Sequence, residues 1–267
     1  MSFVYNKSTI GYSHIESNKP CQDHSQSYQD DTKIIITACD GHGGDLYIRS
    51  DRGSKYASEA VIKVLKDYTT EQIKFLLESD NLDKIKLEIL CKWNSLIEED
   101  ISNESLNDDE MSHLTDEQIF RLKTNHVIAY GTTLNAVMIS SDYVLCLQIG
   151  DGGIFMVNES GAYFAFDDDN DNVANITQSL CGDSAFKNLN ICLYDKNDYD
   201  GILICTDGVL GPYQTYSNFV NNLIRPVFKI INEDQENRTD KLDEFMDKLG
   251  KEMGNGDDVS LSIINFE

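Results

Sequence analysis

Ile34-Ile35-Ile36-Thr37-Ala38-Cys39-Asp40-Gly41-His42-Gly43-Gly44 reads as a buried strand that runs into a carboxylate and then into a glycine-rich turn. The six residues before Asp40 are apolar, β-branched or small, which fits a strand covered on both faces. The arrangement recurs along the chain. Asp151 stands in Gln148-Ile149-Gly150-Asp151-Gly152-Gly153, and Asp207 in Ile202-Leu203-Ile204-Cys205-Thr206-Asp207-Gly208. Asp257-Asp258 precedes Val259-Ser260-Leu261-Ser262-Ile263-Ile264. Each aspartate borders a stretch with strand character, and glycine lets the backbone turn sharply and a carbonyl approach a ligand. Carboxylates fixed at strand ends suit a hard divalent cation, and oxygen-only ligands favour magnesium or manganese over zinc.

Outward from these segments, helical spacing predicts two amphipathic helices. Ala57, Ala60, Val61, Val64 and Leu65 mark one over 54–67. Leu82, Ile85, Ile89, Trp93, Leu96, Ile97 and Ile101 mark a longer one. Thr115-Asp-Glu-Gln118 reads as a capping box that opens a short helix inside a polar surface excursion over 103–125. Residues 132–140, 143–148, 153–157 and 162–166 read as consecutive antiparallel strands, joined by turn chemistry at Ser140-Ser141-Asp142 and Asn158-Glu-Ser-Gly161. Two more strands follow over 191–194 and 201–206, helices over 215–231 and 240–252, and a last strand over 259–266. Strands that flank a long helical middle fit an α+β fold of two sheets packed face to face with helices outside. No repeat or Pro- or Ser-rich linker interrupts the chain, so 1–267 reads as a single domain.

Hydrophobic content of 40% over 267 residues is enough for a core without disulfides. The net charge of −24 argues against sequence-independent nucleic-acid binding, which needs a basic face, and against docking to anionic membranes. No apolar run reaches the roughly 18 residues of a membrane span, and Met1 to Tyr12 lacks the pattern of a signal peptide. Seven cysteines without a Cys-x-x-Cys pair read as reduced thiols, several of them buried, in a cytoplasmic protein. The acidic run 167–172 alternates like a calcium loop. Its sixth position is Asn172 and its twelfth is Gln178, so it reads instead as an exposed loop near the substrate edge.

Taken in order, Gly11-Tyr-Ser-His14 with Cys21-Gln22-Asp23, Asp40-Gly-His-Gly-Gly44, Gly131-Thr-Thr133, Gly150-Asp-Gly152, Thr206-Asp-Gly208 and Asp257-Asp258 resemble the PPM family, the metal-dependent type 2C Ser/Thr protein phosphatases. The resemblance runs from about Gly11 to Ile264. It implies a four-layer αββα sandwich with a metal site at one edge of the sheets. It implies that Asp40 bridges two Mn2+ or Mg2+ ions, that the Gly41 carbonyl binds one, and that Asp207 and Asp257 complete the other ion's shell. Asp151 matches a position that helps to hold a third, weaker ion, and Asp23 joins the metal-site set. Asp258 stands where the family often has asparagine, as a support rather than a ligand. Two ions about 4 Å apart share a water and present hydroxide to phosphorus. His42 matches the family's candidate acid for the leaving serine or threonine oxygen, a task that suits an imidazole. Gly131-Thr132-Thr133 reads as structural.

Two departures from the family pattern stand out. Gln22 replaces a glutamate that binds a metal through water, so that ion is held more weakly, although a divergent bacterial branch is similar to this chain there. Asn18 stands where many members have a phosphate-clamping arginine. Lys19 is the substitute, with a point charge in place of a bidentate fork, and His14 is a second candidate. The expected function is hydrolysis of phosphoserine and phosphothreonine in a phosphorylated protein substrate, by a monomer paired with a Ser/Thr kinase. The competing expectation is a pseudophosphatase, a binding or scaffolding module on the same fold. Gln22 and the missing arginine favour it, and the retained Asp40, Asp207 and Asp257 oppose it.

Overall fold

The computed structural model describes residues 2–166, 178–253 and 255–266; the acidic run 167–172 lies outside them. Ten strands are present among the described residues: β1 Phe3–Thr9, β2 His24–Gln29, β3 Ile34–Cys39, β4 Leu134–Ile139, β5 Tyr143–Ile149, β6 Gly153–Asn158, β7 Gly161–Phe164, β8 Asn190–Asp195, β9 Gly201–Cys205 and β10 Val259–Asn265. They form two five-stranded antiparallel sheets, ordered β1-β10-β9-β6-β7 and β2-β3-β4-β5-β8. Helices α1 Tyr12–Glu16, α2 Ser50–Leu65, α3 Thr70–Glu78, α4 Asp83–Asn103 and α5 Asp116–Thr124 fall in the first half of the chain. The later ones are α6 Ala185–Asn188, α7 Asp207–Leu210, α8 Tyr216–Phe219, α9 Arg225–Glu233 and α10 Arg238–Lys248. No described helix is long and apolar enough to cross a membrane.

The period of two along each strand builds the layers. In β3, Ile34, Ile36 and Ala38 face the second sheet, where they meet Ile154, Met156, Ile202, Ile204 and Ile264. Ile35 and Cys39 face the other way, against Ala57, Val61, Ile89 and Trp93 of α2 and α4. On the far side, Leu203, Leu261 and Ile263 pack under Leu223, Val227, Leu242 and Met246. The order is therefore helix, sheet, sheet, helix, as the sequence pattern implied. Each fully buried aliphatic side chain contributes roughly 1.5–3 kcal/mol, so the three apolar layers can carry an expensive polar site at one edge.

Three readings change. The strands over 132–166 are not one meander: β4 pairs β5, while β6 pairs β7 and β9 in the other sheet. The segment Gly150-Asp151-Gly152 is thus the crossing between sheets. The polar excursion over 103–125 is anchored by buried Met111, Leu114 and Leu122, and its capping box forms at Thr115 and Gln118. Strands β1 and β2 and helix α3 complete the layers from sequence without a clear periodic signal.

Candidate metal centre

Four strand ends converge at one edge of the sandwich. Asp40 leaves β3, and the Gly131-Thr132-Thr133 segment fixes its backbone. The Asp40 N–H donates to Thr133 Oγ1 (3.0 Å), while its carbonyl accepts from Thr133 N–H and Thr132 Oγ1, both at 2.8 Å. Asp151 sits on the sheet crossing, Asp207 opens α7 directly after β9, and Asp257 precedes β10. A Cβ on Gly208 would stand 2.0 Å from the Asp258 carbonyl oxygen, so glycine is what lets the β9 and β10 ends close up. One carboxylate oxygen from each of Asp40, Asp151 and Asp207 lies within 4.8 Å of the others.

Like charges that close disfavour ionisation. Burial, then Asp23, Asp207, Asp257 and Asp151, pushes the Asp40 carboxyl well above the usual carboxylate range. Burial, then Asp151 and Asp257, raises Asp207 to about 6. Asp257 lies outside the tight group of three but acts on it through its charge. Asp23 stands behind the group, 6% exposed, where Thr206 Oγ1 donates to it at 2.7 Å. Burial is the largest cause of its raised pKa.

Asp258 is a support. Its carboxylate accepts from Gly11 N–H at 2.8 Å and Gln22 N–H at 2.6 Å, and it meets His14 Nδ1 at 2.9 Å. His14 is thus anchored to Asp258 through Nδ1. Lys19 is exposed, after Asn18 in a left-handed conformation (φ 54°).

The chemistry of this donor set fits hard cations. The Gln22 amide donates to Ser50 Oγ at 2.6 Å and to the His42 carbonyl at 3.3 Å, while its Oε1 is buried with no hydrogen-bond partner. A Cβ on Gly43 would lie 3.7 Å from that oxygen. A buried acceptor without a donor costs about 1–3 kcal/mol, and a cation or its water would answer it. Asn135 presents a second such oxygen while its amide donates to the Cys205 carbonyl at 3.4 Å.

His42 stands beside the group with its ring edge-on to Tyr47, centroids 4.8 Å apart. Burial lowers its pKa, and Asp151 opposes that shift. Gly131 makes the contact possible, since a Cβ there would lie 2.4 Å from the Tyr47 ring and 2.9 Å from His42 Cδ2. Arg121, exposed on α5, acts electrostatically on both Tyr47 and Cys181. Arg49, 1% exposed, closes the loop from below. It grips Glu110 through two bonds (2.7 and 2.9 Å), reaches Asp100 at 3.2 Å, and donates to the Glu104 and Ser105 carbonyls. Sequence reasoning missed Asn135, Thr206, Tyr47, Arg49 and Arg121. None borders a repeating Asp-Gly signal except Thr206, whose place before Asp207 was its only mark.

A family model described as protein phosphatase 2C matches residues 10–247. A solved bacterial serine phosphatase superposes with a TM-score of 0.62 at 14% identity, over 100% of this chain and 98% of its own. Serine/threonine phosphatase Stp1 from Staphylococcus aureus gives 0.60 at 14%, over 100% and 96%. The catalytic domain of serine/threonine protein phosphatase PstP, in complex with two manganese ions, gives 0.59 at 14%, over 99% and 97%. At these identities the likeness is one of fold. No curated protein sequence matches the chain.

Proposed function

The chain belongs to the protein phosphatase 2C family, and on that premise we propose that it hydrolyses phosphoserine and phosphothreonine in protein substrates. The observation that carries the reading is the set of three carboxylates, from Asp40, Asp151 and Asp207, whose oxygens lie within 4.8 Å, where burial and neighbouring charge oppose the ionisation of Asp40 and Asp207. Such a set is unfavourable without a cation and needs one for full charge.

Asp40, the Gly41 carbonyl, Asp207 and Asp257 would hold two Mn2+ or Mg2+ ions, and Asp151 a third, weaker one. Asp23 adds its charge from behind Thr206. Bound hard cations supply a water nucleophile of lowered pKa and screen the charge on a phosphoryl group. Gln22 Oε1 orients water at the cluster while Ser50 and the His42 carbonyl fix its amide. His42, held by Tyr47, delivers a proton to the departing serine or threonine oxygen. Phosphate grip falls to Lys19 and to Arg121 beside Tyr47, each weaker than a buried arginine fork. The phosphorylated substrate protein and the kinase that opposes this enzyme in the cytoplasm complete the reading, with the chain acting as a monomer.

The uncharged Gln22 favours one second reading, a scaffold on the same fold that binds metal weakly and turns over little. Manganese-dependent hydrolysis of p-nitrophenyl phosphate and a phosphothreonine peptide separates the two. The phosphatase predicts metal-dependent turnover that falls at least 100-fold in Asp207→Asn, about 2.7 kcal/mol of transition-state stabilisation. Equal, negligible turnover in both proteins would leave the scaffold.

A further inference from the structure

Cys146 of β5 and Cys192 of β8 are register partners across an antiparallel pair. Both side chains lie on the inner face of the sheet. Cys146 is fully buried in the layer between the sheets, and half-buried Cys192 packs against the same layer. The strand neighbours of Cys192, Ile191 and Leu193, pack on the opposite face. Directly opposed residues on antiparallel strands have Cα atoms about 4.5–5.5 Å apart, inside the roughly 4.4–6.8 Å range of protein disulfides. A bond between the two sulfurs therefore needs side-chain rotation and no backbone movement. The thiols already touch through a hydrogen bond, and Cys192 Sγ donates onward to the Ala165 carbonyl at 3.6 Å. Among the described residues no other two cysteines face each other across a strand pair: Cys39 opposes His24, and Cys205 opposes Leu261 and Gly153.

We propose that Cys146 and Cys192 form an oxidation site, where a hydroperoxide converts the two thiols into a cross-strand disulfide that staples edge strand β8 to β5. Cys192 is the attacking sulfur because it is the accessible one. Its thiolate attacks a peroxide oxygen, the O–O bond breaks, and an alcohol or water leaves as the sulfenic acid forms. The Cys146 sulfur then attacks the Cys192 sulfur. The S–O bond breaks, and water departs with the Cys146 proton. Two thiols lose two electrons, and one hydroperoxide gains them. The hydrogen bond from Cys146 favours the Cys192 thiolate against the effect of burial, while burial keeps Cys146 a thiol, which suits its role as the resolving partner. The consequence is local: among the described residues β8 pairs with β5 alone, so the staple fixes a strand that otherwise rests on one described ladder.

The test uses the wild-type protein. It is oxidised with limiting hydrogen peroxide, unfolded in denaturant and blocked with N-ethylmaleimide, digested without reductant and mapped by mass spectrometry. The expected product joins the Cys146 and Cys192 peptides with the loss of two hydrogens, reverts with dithiothreitol, and raises the thermal midpoint of the intact protein. Cys146 and Cys192 both recovered as maleimide adducts, while other cysteines oxidise, would overturn the proposal. So would Cys192 advancing to sulfinic acid without the link. In Cys146→Ser, dimedone should trap Cys192 after peroxide, and in Cys192→Ser it should leave Cys146 unmarked; the reverse pattern would remove Cys192 from the attacking role.

Discussion

Asp207→Asn should stabilise the metal-free protein, and only above a definite pH. In the folded chain burial and the charges of Asp151 and Asp257 raise the Asp207 carboxyl from 3.8 to about 6. The unfolded chain releases that proton near the lower value, so between the two the unfolded state binds fewer protons. Stability then falls as pH rises across this interval. The full penalty, about 3 kcal/mol, is present above pH 6 and absent below about pH 4. Asparagine keeps the shape and an acceptor oxygen but carries no charge. For 267 residues the difference corresponds to about 5 °C in thermal midpoint. Differential scanning fluorimetry in EDTA from pH 4 to 8 should show the two proteins together at pH 4 and the variant higher at pH 7 and above. Manganese at about 100 times its dissociation constant adds about 2.7 kcal/mol to the wild type and should close or reverse the gap. Parallel wild-type and variant curves across the whole range without metal would refute the reasoning, because Asp207 would then titrate alike folded and unfolded.

Gln22→Glu should tighten manganese binding about tenfold, near 1.4 kcal/mol, by placing charge on the buried oxygen that has no partner; calorimetric titration reads it. Gly131→Ala should lower kcat by roughly 100-fold with metal binding unchanged, since its Cβ would lie 2.9 Å from His42 Cδ2 and displace the ring. Arg49→Ala should cost about 3 kcal/mol in urea unfolding, because it leaves the Glu110 carboxylate without its buried partner while Asp100 keeps Arg52 and Tyr56.

Most of the central strands were legible because both faces of each are buried. In β3, β9 and β10 the chain must supply apolar or small residues at nearly every position, and such runs stand out. The edge strands have no such demand. Strand β2 reads His24-Ser-Gln-Ser-Tyr-Gln29, with Tyr28 its one large apolar ring. It forms because β3 pairs with it and because its hydroxyls find partners across the sheets, Ser25 with Ser8 at 3.0 Å and Ser27 with Asn6 at 2.7 Å. Pairing of this kind has no local signature. The same holds for the crossing at Asp151: Gly150 and Gly152 announce a turn, but not that β5 and β6 belong to different sheets.

The carboxylates were legible for a similar reason, since an aspartate tethered to a buried strand end has few places to go. The groups that orient them were not. Thr206, Asn135 and Thr133 act through apposition of segments distant in sequence, as when Thr206 Oγ1 reaches Asp23 across 183 positions. The centre also straddles the sandwich. Asp40 belongs to the β3 sheet, Asp207 and Asp257 to the β9–β10 sheet, and Asp151 to the link between them. The spacing of the three clustered carboxylates is therefore set by the apolar layer between the sheets, where Ile36, Val137, Ile204 and Ile264 meet. A packed layer of this kind resists small changes in volume and passes them on as shifts of whole strands. Catalytic geometry tolerates only about 0.5 Å of displacement. A substitution that opens a cavity at Ile204, three residues before Asp207, thus bears on the carboxylate cluster through sheet separation, by the same packing that sustains the charge cluster.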